Sequence, residues 1–509
     1  MKSSKGKLIT YQGRKRIDIN FPNLYPMVLN AVRHLEKCGL KSGDTVGIIC
    51  KNNLSWILAD LACIYKGIKI LALDSDSNLA KYQEKNMHIS AMLVSKDYEK
   101  ESAENEQITY ILLEDLLIQE TLSEEEKREP HQFQGKDVLS YKSTSGSTGF
   151  PKIIGASVQG VENSIHCVQK LFKHSEKDII LVFLPLNLLQ QRYWLYSAIL
   201  FGFTIVVVPK EYFFMVLQQE TPTVIMGVPY IYEIIATTYK KSIAKSERLQ
   251  TDYENYVKDT AISKSFKPFM EYLGGNINYL WTGSAPIATD VLSFYSKMGI
   301  PLYQGYGMNE TCIISKNYEN NNKIGSVGKL FPNIEIKFDD QNQILIKNKY
   351  PVCENYTIAA LEDRQQFFVD DNYIATGDTG YLDDEGYLFI NGRQKEMIAL
   401  SNSKKIFPSA LESKITASEK IENCVFFGDN KPYLTALILP NSTKISHEDV
   451  EVIIANYNQQ VAPEEKIFKF FLTYEKFSEA NNLLTNQHKI KRNKIIEKYK
   501  EQFESLYTS

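Results

Sequence analysis

Residues 141–152 read YKSTSGSTGFPK, and from 144 to 149 every residue is either a glycine or a hydroxyl side chain. Small residues let the backbone approach an anion closely, and backbone N–H groups, hydroxyls and the following lysine can bind phosphate oxygens. The spacing is not that of the common P-loop, G-x-x-x-x-G-K-[ST]. A flexible Ser/Gly loop is the alternative interpretation, but the Pro-Lys that ends the stretch disfavours it. We therefore predict a phosphate-binding loop.

Strands and helices are predicted to alternate on both sides of this loop. Before it, residues 46–50 and 68–73 have the pattern of strands, and residues 55–66 between them have helical spacing. The same order returns over residues 179–208, where 193–200 is the predicted helix. Such alternation implies parallel strands joined by helical crossovers, so the sequence predicts an α/β fold.

The chain is long enough for more than one domain. It has 509 residues, which exceeds the size at which a single hydrophobic core stops growing. Short strands and turns follow one another over residues 333–388, and the character changes after the sequence NGR at 391–393. The remaining segment mixes short strands, such as 424–427 and 435–439, with charged helices. We place the domains at 1–391 and 392–509.

Composition and charge exclude several classes of protein. Hydrophobic residues make up 43% and charged residues 23%, and the net charge of −3 gives no sign of nucleic-acid binding. The longest apolar run, residues 194–208, is too short to span a membrane, and no signal-peptide type of segment follows the N-terminus. Seven cysteines without paired spacing suit a reducing compartment. We expect a cytoplasmic protein with at most peripheral membrane contact and no nucleic-acid partner.

Further short stretches accompany the loop in a fixed order. They read GVPYIYE (227–233), TGSAP (282–286), QGYGMNET (304–311), ATGD (375–378), GRQKE (392–396) and LLTNQHKIKR (483–492). Together they resemble the motifs of the adenylate-forming enzymes, which include acyl-CoA synthetases, luciferases and peptide-synthetase adenylation domains. Residues 398–408, IALSNSKKIFP, are similar to the long-chain fatty acyl-CoA synthetases.

The resemblance implies an architecture. It is a large N-terminal domain of mixed α/β layers, with parallel-type sheets and a small β-barrel-like part, followed by a small, mobile α+β C-terminal domain. The C-terminal domain would contain the catalytic lysine. It would rotate about the hinge position, where Lys395 stands, between the two steps of the reaction.

The residue types suit the roles that the resemblance implies. Tyr306 offers a ring face on which adenine can stack, and the Asp378 carboxylate can accept hydrogen bonds from both ribose hydroxyls. Glu310 is suited to Mg²⁺ that is held by one or two side chains together with phosphates. Lys489 aligns with the lysine that contacts the acid carboxylate and the α-phosphate. Catalytic roles are implied for Lys489, Glu310 and Thr148, with Glu310 as the metal ligand.

ATP and Mg²⁺ are the implied cofactors. The implied ATP- and AMP-binding residues are Thr144, Ser145, Gly146, Ser147, Thr148, Gly149, Lys152, Gly283, Ser284, Ala285, Pro286, Gln304, Gly305, Tyr306, Gly307, Asn309, Asp378, Arg393 and Lys489. The implied acid pocket contains Leu188, Gly227 and Val228.

The segment that corresponds to the acid pocket, LPLNLLQQR at 184–192, contains no acidic residue. Amino-acid activators of this family typically place an aspartate there to pair with the substrate ammonium. A buried ammonium without a partner costs several kcal/mol, so we expect a fatty or aryl acid instead. The acceptor would be the thiol of CoA or of a carrier protein.

The predicted reaction is activation of the acid as acyl-AMP with release of pyrophosphate, followed by transfer to the thiol. Four departures from the family pattern keep alternatives open. The family usually has Thr where this chain has Asn309, and Gly where it has Ser403 and His488. Many acyl-CoA synthetases have His where this chain has Leu188. One alternative is a nucleotide-binding protein of the same fold without turnover, and another is an amino-acid adenylation enzyme. A covalent acyl-enzyme is disfavoured because no cysteine lies in an activating motif.

Overall fold

Strands and helices alternate along the computed structural model, which describes residues 1–73, 77, 82, 84, 86–98, 108–118, 129–144, 152–258, 265–359, 361–369, 372–484 and 490–508. The strands, in chain order, are β1 (Lys7–Gln12), β2 (Lys15–Asn20), β3 (Thr45–Ile49), β4 (Lys69–Ala72), β5 (Ala91–Val94), β6 (Thr109–Leu112), β7 (Val138–Thr144), β8 (Lys152–Ser157), β9 (Ile179–Val182), β10 (Thr204–Val207), β11 (Val224–Met226), β12 (Tyr279–Thr282), β13 (Leu302–Met308), β14 (Cys312–Lys316), β15 (Lys329–Leu330), β16 (Ile334–Phe338), β17 (Gln343–Asn348), β18 (Tyr356–Ile358), β19 (Phe368–Val369), β20 (Tyr373–Leu382), β21 (Leu388–Arg393), β22 (Ile398–Ala399), β23 (Lys405–Ile406), β24 (Ile421–Phe427), β25 (Leu434–Pro440) and β26 (Ile467–Leu472).

The α-helices within the described residues are α1 (Phe21–Lys37), α2 (Leu54–Lys66), α3 (Val158–Phe172), α4 (Leu189–Phe201), α5 (Phe213–Glu220), α6 (Pro229–Lys245), α7 (Glu247–Lys258), α8 (Lys267–Tyr272), α9 (Thr289–Lys297), α10 (Leu361–Phe367), α11 (Pro408–Thr416), α12 (His447–Asn458), α13 (Arg492–Lys498) and α14 (Lys500–Thr508). None of them is long and apolar enough to cross a membrane.

A seven-stranded sheet, in the order β18-β8-β7-β4-β3-β5-β6, contains the phosphate-loop region. Its predicted strand–helix–strand unit is confirmed, because β3 and β4 pair in parallel and α2 connects them. The Asn53 side chain caps the start of α2 by accepting from the Trp56 N–H, and Gly67 ends the helix in the left-handed conformation (φ 75°). β7 and β8 are antiparallel, with Thr144 opposite Lys152.

A nine-stranded sheet, in the order β15-β14-β13-β12-β11-β9-β10-β1-β2, forms the second layer. Its central strands β10, β9, β11, β12 and β13 are parallel, as the sequence predicts. The predicted helix at 193–200 is longer than expected and begins at Leu189. Its first turn contains Gln190 and Gln191, which are good helix formers but add nothing to the apolar periodicity.

The parallel strands of this layer end at one edge, which positions the site. Gly227 follows β11, Gly283 follows β12, and Gln304 on β13 pairs with Thr282 at the end of β12. In open α/β sheets this edge, outside the carboxyl ends of the strands, is where ligands bind.

The part predicted to be β-barrel-like is an antiparallel sheet of β16, β17, β20, β19 and β21. β21 continues two residues past the predicted boundary at 391, because Gly392 and Arg393 still pair with β20. The C-terminal part contains the three-stranded sheet β24-β25-β26 with helices α11 and α12 packed in its core. A large α/β part and a smaller α+β part are therefore both present, as predicted, and the boundary itself stays a prediction.

Candidate active site

Asp378 brings together side chains from three strands. Its Oδ2 accepts a hydrogen bond of 2.5 Å from the Tyr306 hydroxyl on β13, and its Oδ1 lies 3.0 Å from Nε of Arg393 on β21. The Asp378 side chain is 8% exposed. Burial beside this carboxylate raises the pKa of Tyr306 well above its usual value, so the phenol stays protonated and donates. We call Tyr306, Asp378 and Arg393 the Asp378 cluster.

The adenine turn predicted at 283–286 lies against the strand that contains Tyr306. A Cβ on Gly283 would come within 3.2 Å of the Gly305 carbonyl oxygen, so the two backbones approach closely. Ser284 has a positive φ of 71°, an uncommon conformation for a residue other than glycine. The turn, Gln304, Gly305 and Tyr306 therefore meet at one place.

The hairpin between β13 and β14 presents Glu310. Gly307 is required there, because a Cβ would lie 2.1 Å from the Cys312 carbonyl oxygen. Glu310 is buried, and its Oε1 accepts a hydrogen bond of 2.9 Å from the Tyr356 hydroxyl on β18. Burial raises the pKa of Glu310, and hydrogen bonding, including that from Tyr356, opposes this only in part. Asn309 is half-buried beside it.

A carboxylate in these surroundings fits a divalent cation. The Glu310 carboxylate accepts a hydrogen bond from Tyr356, and Arg393 and Lys152 act on it electrostatically and favour its charged form. Magnesium is commonly held by one or two carboxylates together with phosphate oxygens and water. The arrangement is therefore compatible with the metal role that the sequence suggests for Glu310.

The hairpin β7–β8 brackets the predicted phosphate loop, and residues 145–151 lie outside the described residues. The predictions for Ser145, Gly146, Ser147, Thr148 and Gly149 are therefore not addressed by the structure. Lys152 opens β8, and its Nζ lies 5.4 Å from the centroid of the Tyr356 ring. Since Tyr356 also holds Glu310, the base of the loop and the hairpin with Glu310 are neighbours.

A cavity of about 70 Å³ extends from the adenine turn to the helix α4. Its lining includes Gln191, Tyr193 and Trp194 from α4, with Gly227, Trp281 and Thr282 from the ends of the parallel strands. We call it the acid cavity, since it joins the predicted acid segment to the nucleotide side. Leu188 caps the start of α4 and Val228 the start of α6; neither is among the lining residues, whereas Gly227 is.

Lys316 is a buried lysine that lines this cavity and that sequence reasoning missed. Its Nζ donates to the carbonyl oxygens of Thr282 (2.9 Å) and Tyr303 (2.8 Å) and lies 3.7 Å from the centroid of the Trp281 ring. Burial lowers its pKa well below the usual value. The signal was present in the sequence, because Lys316 ends the strand CIISK, whose first three residues are apolar.

Two residues that line the acid cavity each have one side-chain atom without a hydrogen-bond partner among the described residues. Gln191 Oε1 and Thr282 Oγ1 are buried and have no hydrogen-bond partner in the described part of the chain. Lys142 ties the same region to the phosphate-loop hairpin, because its Nζ donates to the Asn187 carbonyl (3.0 Å). Neither the unpaired atoms nor this tie could be read from the motifs.

The predicted hinge position and the segment around Ser403 lie at the start of the C-terminal part. Lys395 is in a short 3₁₀ turn, Gln394–Glu396, directly after Arg393. Ser403, where long-chain synthetases usually have glycine, adopts a positive φ of 65°. The backbone conformation that favours glycine is thus retained by a serine. Lys489 and His488 fall outside the described residues; Leu484 and Ile490 pair across the interval.

This fold and this site together define an adenylate-forming ligase. Residues 4–349 match the family described as AMP-binding enzyme, and residues 395–509 match the AMP-binding enzyme C-terminal domain. The chain belongs to the AMP-binding enzyme family, which confirms the resemblance, the fold class and the ligase class predicted from the sequence.

Two relatives and two solved structures of one further enzyme illustrate the similarity. Long-chain-fatty-acid–CoA ligase FadD15 of Mycobacterium bovis is 26% identical over 72% of this chain and 68% of its own length. Fatty acyl-CoA synthetase B of Dictyostelium discoideum is 25% identical over 93% of this chain and 84% of its own length. O-succinylbenzoate CoA synthetase (MenE) of Bacillus subtilis, in complex with the acyl-adenylate OSB-AMP, is 20% identical with a TM-score of 0.77 over 97% and 95%. The structure of the same enzyme in complex with ATP and magnesium ion has a TM-score of 0.71 over 96% of each chain.

Proposed function

We propose that this chain activates a fatty or aryl carboxylic acid with Mg·ATP in the cytoplasm and passes the acyl group to the thiol of CoA or of a carrier protein. The Asp378 cluster is the observation on which this rests. Side chains from three motifs, one on β13 and two on the paired strands β20 and β21, meet there in one polar group. Such convergence suits recognition of a ribose next to a stacked adenine.

The first step forms the mixed anhydride. An oxygen of the acid carboxylate attacks the α-phosphorus of ATP, the bond from that phosphorus to the bridging oxygen breaks, and pyrophosphate leaves. Negative charge crowds around the α-phosphate during the attack, and fixed positive charges and N–H groups stabilise it. We assign this task to the loop at 144–149, Lys152 and Lys489.

The second step releases AMP. A thiolate attacks the acyl carbonyl carbon, and the bond between this carbon and the phosphate oxygen breaks. No nucleophile of the protein is needed, and the cysteines are poorly suited to be one. Burial raises the pKa of all seven thiols, which disfavours the reactive thiolate.

Magnesium would be bound by Glu310 together with the phosphates of ATP. It would neutralise charge on the triphosphate and orient it for in-line attack. The complex of the similar Bacillus subtilis enzyme with ATP and magnesium ion is consistent with the use of these two cofactors. CoA as the acceptor is supported by the names of the two relatives, and a carrier protein remains the second acceptor to test.

Pyrophosphate exchange into ATP tests the proposal without knowledge of the acceptor. The protein is incubated with ATP, Mg²⁺, labelled pyrophosphate and one acid at a time, drawn from fatty, aryl and amino acids. We expect exchange that depends on both acid and Mg²⁺, with every amino acid weaker than the best fatty or aryl acid. Nucleotide binding without exchange for any acid would instead favour the non-catalytic alternative, and a preferred amino acid would favour amino-acid adenylation.

A further inference from the structure

Lys316 is a buried lysine without a matching negative charge. Its side chain is fully buried, and burial lowers its pKa well below the usual value, with no carboxylate among the described residues to oppose the shift. Burial of an amine costs free energy that an apolar side chain of the same length does not cost. The contribution of this amine must therefore come from the partners of its N–H groups.

The N–H groups of Lys316 bind the peptide units that open two nucleotide motifs. The carbonyl of Thr282 belongs to the peptide unit that joins this residue to Gly283, where the adenine turn begins, and it accepts from Nζ at 2.9 Å. The carbonyl of Tyr303 belongs to the peptide unit that precedes Gln304, and it accepts from the same Nζ at 2.8 Å. Because a peptide unit is planar, a fixed carbonyl also fixes the orientation of the N–H that leads into the motif.

The path of the Lys316 side chain is constrained as well. Lys316 on β14 lies opposite Gly305 on β13, and a Cβ on Gly305 would come within 2.5 Å of Lys316 Cδ. The stem therefore crosses β13 where glycine leaves room, and Nζ ends 3.7 Å from the centroid of the Trp281 ring on β12. One side chain thus joins three strands next to the adenine turn.

We propose that Lys316 is a positioning residue for the base of the nucleotide. By holding the carbonyls of Thr282 and Tyr303 to one atom, it sets the separation between the adenine turn and Tyr306, on whose ring adenine is expected to stack. It acts through the backbone of both motifs, so its loss should affect recognition of the base more than that of the ribose or the triphosphate. This inference rests on the nucleotide binding that the proposed function includes, and it assigns a role to a residue outside the motifs.

Binding of ATP and of inosine triphosphate tests the base directly, as measured by calorimetry on the full chain with Mg²⁺. The two nucleotides share ribose and triphosphate, and inosine has a carbonyl where adenine has its amino group. We expect the wild type to bind ATP at least about tenfold more tightly, because a site shaped for an amino group is left with unpaired polar groups by an analogue that lacks it. The ratio of the two dissociation constants therefore reports on recognition of the base.

Variants of Lys316 then test the amine. Lys316→Met retains a side chain of similar length, and we expect it to reduce the ratio to about threefold or less, as for the loss of hydrogen bonds that shape the site. Its thermal midpoint of unfolding should stay the same or rise, since an apolar side chain replaces a buried amine. Lys316→Gln is shorter and can reach one carbonyl only, so its ratio should be intermediate. Lys323→Met is the matched control and should retain the ratio, because Lys323 pairs with Asp383 and Glu385, outside both nucleotide motifs.

The outcomes separate this inference from the function on which it rests. A folded Lys316→Met with the wild-type ratio would overturn the inference, and so would a lower thermal midpoint with an unchanged ratio, which is the result expected of a structural role alone. Equal loss of the ratio in Lys323→Met, or a wild-type ratio close to one, would overturn it as well. Binding with the expected ratios, but without pyrophosphate exchange for any acid, would overturn the ligase function and leave the inference intact.

Discussion

The Asp378 cluster and the acid cavity differ in how many of their polar atoms have partners within the protein. In the cluster, both carboxylate oxygens of Asp378 are engaged, by Tyr306 and by Arg393. In the cavity, Gln191 Oε1 and Thr282 Oγ1 have no partner within the described residues. The nucleotide end is thus preorganised by its own side chains, whereas two residues at the acid end each retain a polar atom without a partner among the described residues. The difference indicates that the first end sets the reaction and the second sets the substrate.

The largest effect is expected from Lys489→Ala, which tests whether the nucleotide end needs a charge from the C-terminal domain. The resemblance implies that the Lys489 ammonium bridges the acid carboxylate and the α-phosphate. Loss of such a preorganised charge typically costs about 10²–10³ in rate. Acyl-adenylate formation should fall by this factor, and thioester formation from a supplied acyl-adenylate should be largely retained, as measured on the same purified protein.

Lys491→Ala is the control for this variant. The Nζ of Lys491 donates to Asn482 Oδ1 at 2.6 Å, so this lysine is already engaged at the surface. It should have little effect on either step. If Lys489→Ala slows both steps equally, or if Lys491→Ala is the worse variant, then the catalytic lysine or the two-state domain mechanism is wrongly assigned.

The next largest effect concerns the aromatic side chains next to the acid cavity. We expect their contribution to the free energy of unfolding to depend on pH. His174 packs against Trp194 at 5.8 Å, and its Nε2 lies 2.6 Å from the Tyr279 hydroxyl. Burial lowers the pKa of His174 from 6.5 to about 4. Between these values the unfolded chain binds the proton and the folded chain does not, so stability falls as the pH decreases from 6.5 towards 4. The shift corresponds to about 3 kcal/mol of unfolding free energy.

Urea unfolding at pH 7 and pH 4.5 measures this contribution. The difference in unfolding free energy between the two pH values should be smaller for His174→Phe than for the wild type. His166→Gln is the control, because His166 is exposed, and it should leave the pH dependence as it is. Equal pH dependence for all three proteins would show that His174 does not titrate with folding.

The three residues of the Asp378 cluster were each singled out from the sequence because each lies in a short motif, whereas their contact with one another was not predicted. Tyr306, Asp378 and Arg393 lie on strands, where position in the sequence fixes register and face, so motifs that match the family imply the geometry. The α/β class was predictable for a similar reason, since apolar strands and helical spacing alternate locally. Both predictions depend on short stretches of chain.

The acid cavity depends on packing between elements that are distant in the sequence, so its lining could not be read from one motif. Leu188 was expected to line it, but the helix begins directly after this residue and presents Gln191, Tyr193 and Trp194 instead. Lys316 comes from β14, and its partners come from β12 and β13. No local pattern specifies which of these side chains meet.

A smaller effect is expected from Asp378→Ala, which removes the carboxylate at the centre of the Asp378 cluster. The variant loses two predicted ribose contacts and leaves Tyr306 and Arg393 without their shared partner. A hydrogen bond to a charged group contributes roughly 1.5–3 kcal/mol, so kcat/KM for ATP should fall at least tenfold while KM for the acid changes little. Asp384→Ala, at an exposed turn, should behave as the wild type. An unchanged kcat/KM for ATP would mean that Asp378 does not bind the ribose.

The smallest effect is expected from Tyr356→Phe, which tests whether the Tyr356 hydroxyl orients Glu310, the predicted metal ligand. The change removes the hydroxyl that donates to Glu310 Oε1 but retains the ring, which packs against Phe367 and Phe368 at 5.6 and 5.3 Å. Glu310 should then be less well oriented, and the Mg²⁺ concentration for half-maximal exchange should rise roughly two- to tenfold, as for the loss of one net hydrogen bond.

Binding of Mn²⁺ to the complex of Tyr356→Phe with ATP, followed by its electron paramagnetic resonance, should weaken by the same factor. This second measurement separates a metal effect from a general loss of activity. Tyr350→Phe is the control, since Tyr350 is exposed and lies before the strand that contains Tyr356. If Tyr356→Phe lowers the rate at saturating Mg²⁺ and leaves the metal dependence unchanged, then Tyr356 supports the fold of the β8–β18 edge and does not orient Glu310. In that case only the Asp378 cluster would be held in place by other side chains of the protein. Glu310 would take its final position only when the metal and the nucleotide bind.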